Sequence, residues 1–295
     1  MLSGCSLQSM AAGYFQTTLT NAEENFQKSQ NYYVVERALP AFIVLLDATI
    51  AQNPEDPALL LQGAKLHTVY GISFAEPVNT EWAKLHYQQA SQYLEKLWQI
   101  KYRLSPASTA FQELKQLVAA FTIDNIADLF WLAMSWGNYI NTSRDETAAI
   151  SKISYIEMLM QRVLELDESY ENAMPHLFLG AFYSASQTTG EKQKAQQHFE
   201  RAIQLTKQEM LVVHVTYART FACTYKDQKL FETLLNYVVE RWENRAAKPF
   251  AAQYTLSNAM AHQQAKALME NSDQLFPSFE SEEPQPANNQ GAGKE

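Results

Sequence analysis

Glycine and proline are scarce in this sequence. Its 295 residues include only nine glycines and ten prolines, and three of the prolines fall within residues 277–295. Because these two residue types are the strongest helix breakers, their scarcity leaves long stretches of Ala, Leu, Gln, Glu and Lys uninterrupted. Hydrophobic residues make up 46% of the chain, enough for a continuous core. The composition therefore excludes a disordered chain and favours a helical one.

Positive charge and long apolar runs are also lacking. Lys and Arg number 23 against 32 Asp and Glu, which gives a formal charge of −9. Such a chain repels phosphate backbones, so nucleic acid is not expected as a partner. The longest apolar candidate, Ala38 to Ile50, is shorter than the roughly 20 residues that span a bilayer, and it contains Pro40 and Asp47. No transmembrane helix is predicted.

Catalytic and metal-binding motifs are missing as well. No two of the six histidines stand one helical turn apart with a glutamate between them, and no Gly-rich phosphate loop occurs in the body of the chain. Nucleophile-elbow and Cys/His protease signatures are absent. Asp124 and Asp128 are one turn apart and could do acid/base work, but exposed carboxylates at a helix start, favoured by the helix dipole, explain them more simply. We therefore expect no enzyme, no metal site and no cofactor.

The chain has only two cysteines, which we interpret separately. Leu2-Ser3-Gly4-Cys5 has the form of a bacterial lipoprotein cleavage box: an aliphatic residue, two small residues and a thiol that carries the lipid. We predict lipidation at Cys5, with residues 1–12 as a lipobox-like start and linker. A chance match is the alternative, because only Met1 to Gly4 precede the cysteine. Cys223 lies in an apolar helical pattern and is expected to be a small buried residue.

Apolar residues recur at helical spacing along nearly the whole chain. The pattern predicts helices over Tyr32 to Ile50, Pro57 to Tyr70, Glu81 to Tyr102, Ala110 to Phe121, Asn125 to Ile140, Ala148 to Leu166, Tyr170 to Ser186, Glu191 to Thr206, Met210 to Tyr225, Lys229 to Asn244 and Pro249 to Met269. Eleven or twelve helices follow, and the short breaks between them imply antiparallel neighbours. No strand is predicted. One helical domain is expected over residues 13–276, followed by a disordered acidic and Pro-rich tail over 277–295.

Small and aromatic residues recur at fixed offsets in two predicted helix pairs. The clearer pair contains Gly180, Tyr183, Ala195, Phe199 and Ala202, and the weaker pair contains Gly63, Ala83, Tyr87 and Ala90. Small residues let two helices approach, and the aromatic fills the gap to the next pair, as in TPR solenoids. The copies need insertions of three residues near Ser186 and about eight near Glu76. The sequence therefore predicts an all-α fold, a modified TPR-like α-solenoid.

An aromatic segment, Leu129 to Ile140, carries more large side chains than a surface helix needs. If its Leu129, Leu132 and Trp136 form the core, the residues left to face other helices or a ligand cavity are Phe130, Trp131, Met134, Asn138 and Tyr139. A helix buried all round is the equal alternative. On the first helix of the clearer pair, the residues expected on the concave, partner-facing side are Met174, His176, Leu177, Ala181 and Ser184. Ordinary core packing is again the equal alternative.

These segments resemble the TRAP-transporter T-component (TatT) lipoproteins. The resemblance extends over most of the chain in order, and the matching segments are Leu2 to Cys5, Asp124 to Ile140, Met158 to Asp167, His176 to Tyr183, His198 to Ala202, Tyr217-Ala218 and Ser257 to Phe276. It implies a periplasmic, lipid-anchored protein of helical repeats that engages the solute-binding (P) subunit of a tripartite ATP-independent periplasmic transporter. An organic, hydrophobic ligand and a homo-oligomer are further expectations. The alternative function is a TPR scaffold lipoprotein for envelope assembly.

Overall fold

The computed structural model describes residues 31–143, 151–185 and 188–277, together with residues 18, 21, 22 and 25–29. Within these residues the chain consists of α-helices and short 3-10 and π-helical turns, and no strand is present. The prediction of an all-α chain is confirmed. Cys5, the start over residues 1–12 and the tail beyond Pro277 lie outside the described residues, so the expectations for them stay predictions.

Twelve α-helices occur in the described part of the chain from residue 31 onwards. They are α1 Tyr32–Gln52, α2 Pro57–Tyr70, α3 Thr80–Tyr102, α4 Phe111–Ala119, α5 Ile126–Thr142, α6 Ile153–Leu166, α7 Tyr170–Ser184, α8 Thr189–Leu205, α9 Leu211–Thr216, α10 Gln228–Glu243, α11 Thr255–Glu270 and α12 Ser272–Leu275. The π-helical turns span Gly71–Ala75 and Tyr217–Ala222. The helix expected from Pro249 begins later, because a 3-10 turn over Ala252–Tyr254 precedes α11.

Polar residues at the breaks define where several helices begin. The side chains of Asp56, Asn79, Thr188 and Asp227 each accept hydrogen bonds from backbone N–H groups in the first turn of the helix that follows. These are the donors that a helix leaves unpaired at its N-terminus, so the cap stabilises the start. Pro57 stands at the first position of α2, where its missing N–H is not needed.

Two helix pairs, α2 with α3 and α7 with α8, make the most extensive helix contacts in the molecule. In the second pair the ring of Phe199 lies on Gly180, because a Cβ added to this glycine would meet three ring atoms at 3.0 Å. In the first pair the ring of Tyr87 lies on Gly71, where an added Cβ would be 2.5 Å from Cε1. Both glycines therefore allow a close approach between helices.

The position of Gly71 corrects the predicted register of the weaker pair. Gly63, the glycine chosen from the sequence, packs against Ile50 and Tyr93 instead of Tyr87. Gly71 follows eight residues later, so the insertion of about eight residues predicted near Glu76 is not needed. Eight residues are about 2.2 helical turns, so the two glycines lie about 80° apart around the helix, within the roughly 100° width of one apolar stripe. The apolar pattern therefore could not distinguish them.

The last long helix returns to the first. Leu256 and Met260 of α11 pack against a small cluster formed by Val35, Leu39 and Phe74. Phe74 belongs to the π-helical turn after α2, so this turn also joins α1 and α11. The two ends of the helical region are thereby in contact.

Candidate functional site

The first half of α5 is buried, including Asp128, which is 2% exposed, so the expectation of an exposed carboxylate there was wrong. Phe130, Trp131 and Met134, three of the residues predicted to face a cavity, are no more than 6% exposed. The Phe130 ring packs edge-on against the rings of Trp131 and Tyr170, with centroids 5.0 and 5.2 Å apart. This burial is what the alternative prediction, a helix buried all round, expects. A ligand-lining role for these three residues stays a prediction.

The second half of α5 is more accessible. Asn138 and Tyr139 are both half-buried. The Asn138 Nδ2 donates to the carbonyl of Met134 at 2.8 Å, and the Tyr139 hydroxyl accepts from Gln88 Nε2 at 3.2 Å. A polar and an aromatic side chain thus stay open to solvent next to α3.

The residues predicted on the partner-facing side of α7 also include both buried and half-buried side chains. His176, Leu177 and Ser184 are buried, whereas Met174 and Ala181 are half-buried. The structure adds two residues to this accessible row that the sequence analysis left out, Phe178 and Phe182. Their rings stack with centroids 6.0 Å apart and are half-buried. Their spacing of four residues was the available signal.

Helices α5 and α7 meet at Gly137. A Cβ at this glycine would lie 2.4 Å from Cζ of Phe178, so the phenylalanine ring packs directly on the α5 backbone. From the half-buried residues of these two helices we select six as the α5–α7 surface: Asn138, Tyr139, Met174, Phe178, Ala181 and Phe182. It is mainly apolar and rich in aromatic rings.

A histidine pair joins α2 to α3. The Nδ1 atoms of His67 and His86 are 2.9 Å apart, and the Nε2 of His67 faces Asp47 Oδ1 of α1 at 3.1 Å. Asp47 also accepts a hydrogen bond from the hydroxyl of Tyr93 at 2.7 Å. The ring of Tyr70 lies 4.8 Å from the ring of His86. The pair therefore belongs to a network that spans three helices.

A second histidine pair joins α7 to α8 in the same way. The Nδ1 atoms of His176 and His198 are again 2.9 Å apart, and the Nε2 of His176 faces Glu168 Oε2 at 3.4 Å. Glu168 also accepts hydrogen bonds from the guanidinium of Arg201. The ring of Tyr183 stacks on His198 with centroids 5.6 Å apart.

The two histidine pairs occupy matching sequence positions. His67 and His176 each stand four residues before the glycine of their pair, Gly71 and Gly180, while His86 and His198 directly precede the aromatic that covers it. The sequence analysis considered these histidines as metal ligands, and His176 also as a partner-facing residue, so it missed that they pair with one another. The corrected register at Gly71 is what reveals the match.

Burial keeps several of these histidines neutral. Burial, followed by the nearby His67, lowers the pKa of His86 to about 4. Burial, followed by the nearby His176 and Lys194, lowers the pKa of His198 to about 4. Burial also lowers the pKa of His176, against the opposing effect of Glu168. A neutral imidazole can accept a hydrogen bond, which an N–H···N contact requires.

The histidine pairs do not form a metal centre. In each pair the carboxylate lies on the far nitrogen of one ring, so only two nitrogens converge. No group of three or more His, Cys, Asp or Glu side chains is placed to hold a metal ion in the described ranges. Transition metals in proteins normally take three or four protein ligands.

Comparison with known proteins identifies the family. No helix in the described part of the chain combines the length and the apolar character that a membrane span requires. Among curated proteins no sequence matches significantly. The family model described as TRAP transporter T-component matches residues 29–276. This match covers most of the chain, and the protein therefore belongs to the TRAP transporter T-component family.

Proposed function

We propose that this T-component binds the solute-binding subunit of its transporter through the α5–α7 surface and receives an organic, hydrophobic ligand there. Family membership supports the association with a TRAP transporter, and this family is a class of transporter components, not of enzymes. A lipid on Cys5 would hold the protein at a bacterial membrane on the periplasmic side. The α2–α3 and α7–α8 pairs are, in this proposal, repeats of a modified TPR-like solenoid.

The observation that carries the proposal is the accessible aromatic row on α7. Phe178 and Phe182 stack on one another beside the α5 backbone, yet both remain half-buried in the single chain. Aromatic side chains contribute large contact areas and are enriched among the residues that dominate binding energy. Met174 and Ala181 extend the same face of α7, with few polar groups to oppose an apolar partner.

A charged side chain on this face tests the proposal. We expect Ala181→Arg to weaken binding of the purified solute-binding subunit by about tenfold or more, because an interface core tolerates an unpaired charge poorly. Phe182→Ala should weaken binding through lost contact area. Both affinities can be measured by surface plasmon resonance, with thermal unfolding of each variant to confirm that it is folded.

The matched control is Val44→Arg on α1, where the side chain is 67% exposed. It adds the same charge on a different apolar surface and should leave binding within about twofold. Loss of binding in Val44→Arg but not in Ala181→Arg would indicate that the solute-binding subunit binds at α1 and not at the α5–α7 surface. If the wild-type chain captures envelope assembly proteins from its membrane and no solute-binding subunit, the scaffold alternative is correct.

A further inference from the structure

The hydrogen bond within each histidine pair depends on how many protons the two rings carry. A 2.9 Å contact between two Nδ1 atoms is a hydrogen bond only when one ring donates an N–H and the other accepts. The carboxylate on His67 and on His176 favours a proton on the Nε2 of that ring. The same ring then accepts at Nδ1, and His86 or His198 donates. One extra proton on the far nitrogen of the donor leaves this bond intact.

A second extra proton breaks the contact. Both Nδ1 atoms would then carry hydrogen, and two positive rings with centroids 5.1 Å apart would repel each other across a half-buried interface. His67 and His176 are only 6% and 8% exposed, so this repulsion acts inside the contact between the two helices.

We propose that the two histidine pairs are proton-sensitive contacts, and that acid loosens α7 from α8 and, to a smaller extent, α2 from α3. The proposal uses only side chains of this chain and does not depend on the proposed function.

The charged neighbours explain the unequal sensitivity. The first pair is faced by Asp47 from α1, with the rings of Tyr70 and Tyr93 beside it. The second pair is faced by Glu168 from the turn before α7, but also by two cations of α8, Arg201 and Lys194. Glu168 is shared with Arg201, so less of its charge remains to stabilise a protonated histidine.

The sign of the effect follows from proton linkage. In the packed state the pKa of His198 is about 4, whereas a separated, solvated imidazole titrates near 6.5. Between these values the separated state binds more protons, so falling pH favours separation, and the gain levels off below about pH 4. Between pH 7 and 5 the opening equilibrium of α7–α8 should rise roughly twentyfold through His198 alone. The pKa of His86 is also about 4, so α2–α3 gains a similar factor through His86, and the lowered pKa of His176 makes the total rise larger at α7–α8.

Hydrogen exchange on the full-length protein tests the proposal. Backbone amides of α7 and α8, corrected for intrinsic exchange rates and with a metal chelator present, should lose protection by roughly twentyfold or more between pH 7 and 5. Amides of α2 and α3 should lose less. Unchanged protection in α7 and α8 would overturn the proposal.

The matched variant is His198→Asn. An asparagine Nδ2 stands close to the position of the histidine Nδ1 and donates to His176, but it does not titrate. We expect protection of α7 and α8 at pH 7 to stay within about threefold of wild type, and most of the pH dependence to disappear. As a control, His262→Asn removes another histidine with a lowered pKa, outside both pairs, and should leave the pH dependence unchanged. Full pH dependence in His198→Asn would overturn the proposal.

A measurement on the wild-type chain covers the case in which the variant does not fold. Histidine 15N chemical shifts report tautomer and protonation directly. A donor Nδ1–H on His198, an acceptor Nδ1 on His176 and protonation of His198 well below pH 6 would support the proposal. Titration of His198 near pH 6.5 would overturn it.

Discussion

The α2–α3 and α7–α8 pairs are built alike but are anchored differently. In each, a large ring covers a glycine and two histidines meet at 2.9 Å. In the first pair the carboxylate comes from a third helix, α1, and the hydroxyl of Tyr93 donates to it. In the second pair the carboxylate is Glu168, just before α7, and Arg201 of α8 shares it. The first network thus ties its pair to a neighbouring helix, whereas the second stays within its own pair.

This difference shows that the glycine–ring contact can stay the same in two helix pairs while the charged groups around their histidines differ. The close approach at the glycine depends on side-chain volume, which both pairs satisfy with an aromatic ring. The histidine contact depends on the charges around it, which come from different elements in the two pairs. A comparison of matched variants can therefore separate the packing contribution from the charge contribution.

The largest effect is expected from removing the covering rings. Tyr87→Ala and Phe199→Ala should each lower the free energy of unfolding by about 3–5 kcal/mol, because both side chains are fully buried and each would leave a cavity. Urea denaturation monitored by circular dichroism measures the change. Leu85→Ala on the exposed side of α3 is the control and should change stability little. A loss below about 1 kcal/mol in either alanine variant would contradict the shared packing.

A smaller effect should come from filling the glycine positions. Gly71→Ala should destabilise by about 1–3 kcal/mol, since its Cβ would overlap the ring of Tyr87 at 2.5 Å. Gly180→Ala should cost less, because Phe199 stands at 3.0 Å and the alanine is the better helix former. Gly190→Ala, which meets nothing within 4 Å, is the matched control and should be neutral or slightly stabilising. Thermal unfolding of the three variants would refute this order if Gly71→Ala were as stable as wild type.

The smallest effect is expected at the carboxylates. Burial raises the pKa of Asp47, but hydrogen bonds from His67 and Tyr93 outweigh it, and the net pKa is lowered. Hydrogen bonds from Arg201 lower the pKa of Glu168. A carboxylate with a lowered pKa stabilises the fold above its unfolded pKa, and this stability is lost only when pH falls through the folded value.

We therefore expect Asp47→Asn to cost about 0.5–1 kcal/mol at pH 7 and Glu168→Gln a few tenths, because their side chains are 36% and 43% exposed and solvent screens them. Urea denaturation at pH 7 and 5 measures both variants against wild type. Between these pH values the Asp47→Asn difference should not shrink. A difference that vanishes at pH 5 would mean that the network does not hold Asp47 ionised.

Much of the secondary structure was predictable because it depends on local interactions. The spacing of apolar residues predicted α2 as Pro57 to Tyr70, and the structure has the same bounds. The aromatic helix α5 was predicted from Asn125 and begins at Ile126. The predicted helix over Met210 to Tyr225 is interrupted by the π-helical turn Tyr217–Ala222, where Tyr217 stacks on Phe199 at 4.5 Å. That contact lies outside the range of local sequence preferences.

The candidate site was only partly predictable. The sequence analysis chose α5 and α7, and the structure puts the two helices in contact at Gly137. It did not separate the buried residues, such as Phe130 and Leu177, from the half-buried ones, and it left out Phe178 and Phe182. Which side of an apolar helix remains open depends on the neighbours that cover it, and no local pattern contains that information.

By itself the sequence determined that this protein is helical, where most helices begin and end, and which aromatic residues, Tyr87 and Phe199, mark its two helix pairs. Caps, helix propensities and apolar spacing act within one or two helical turns, so short stretches of sequence are enough to predict them. Only the tertiary structure decided that Gly71 and not Gly63 lies under Tyr87, and that His67 meets His86 as His176 meets His198. These contacts depend on the register between helices, which packing of the whole core sets to within a single turn.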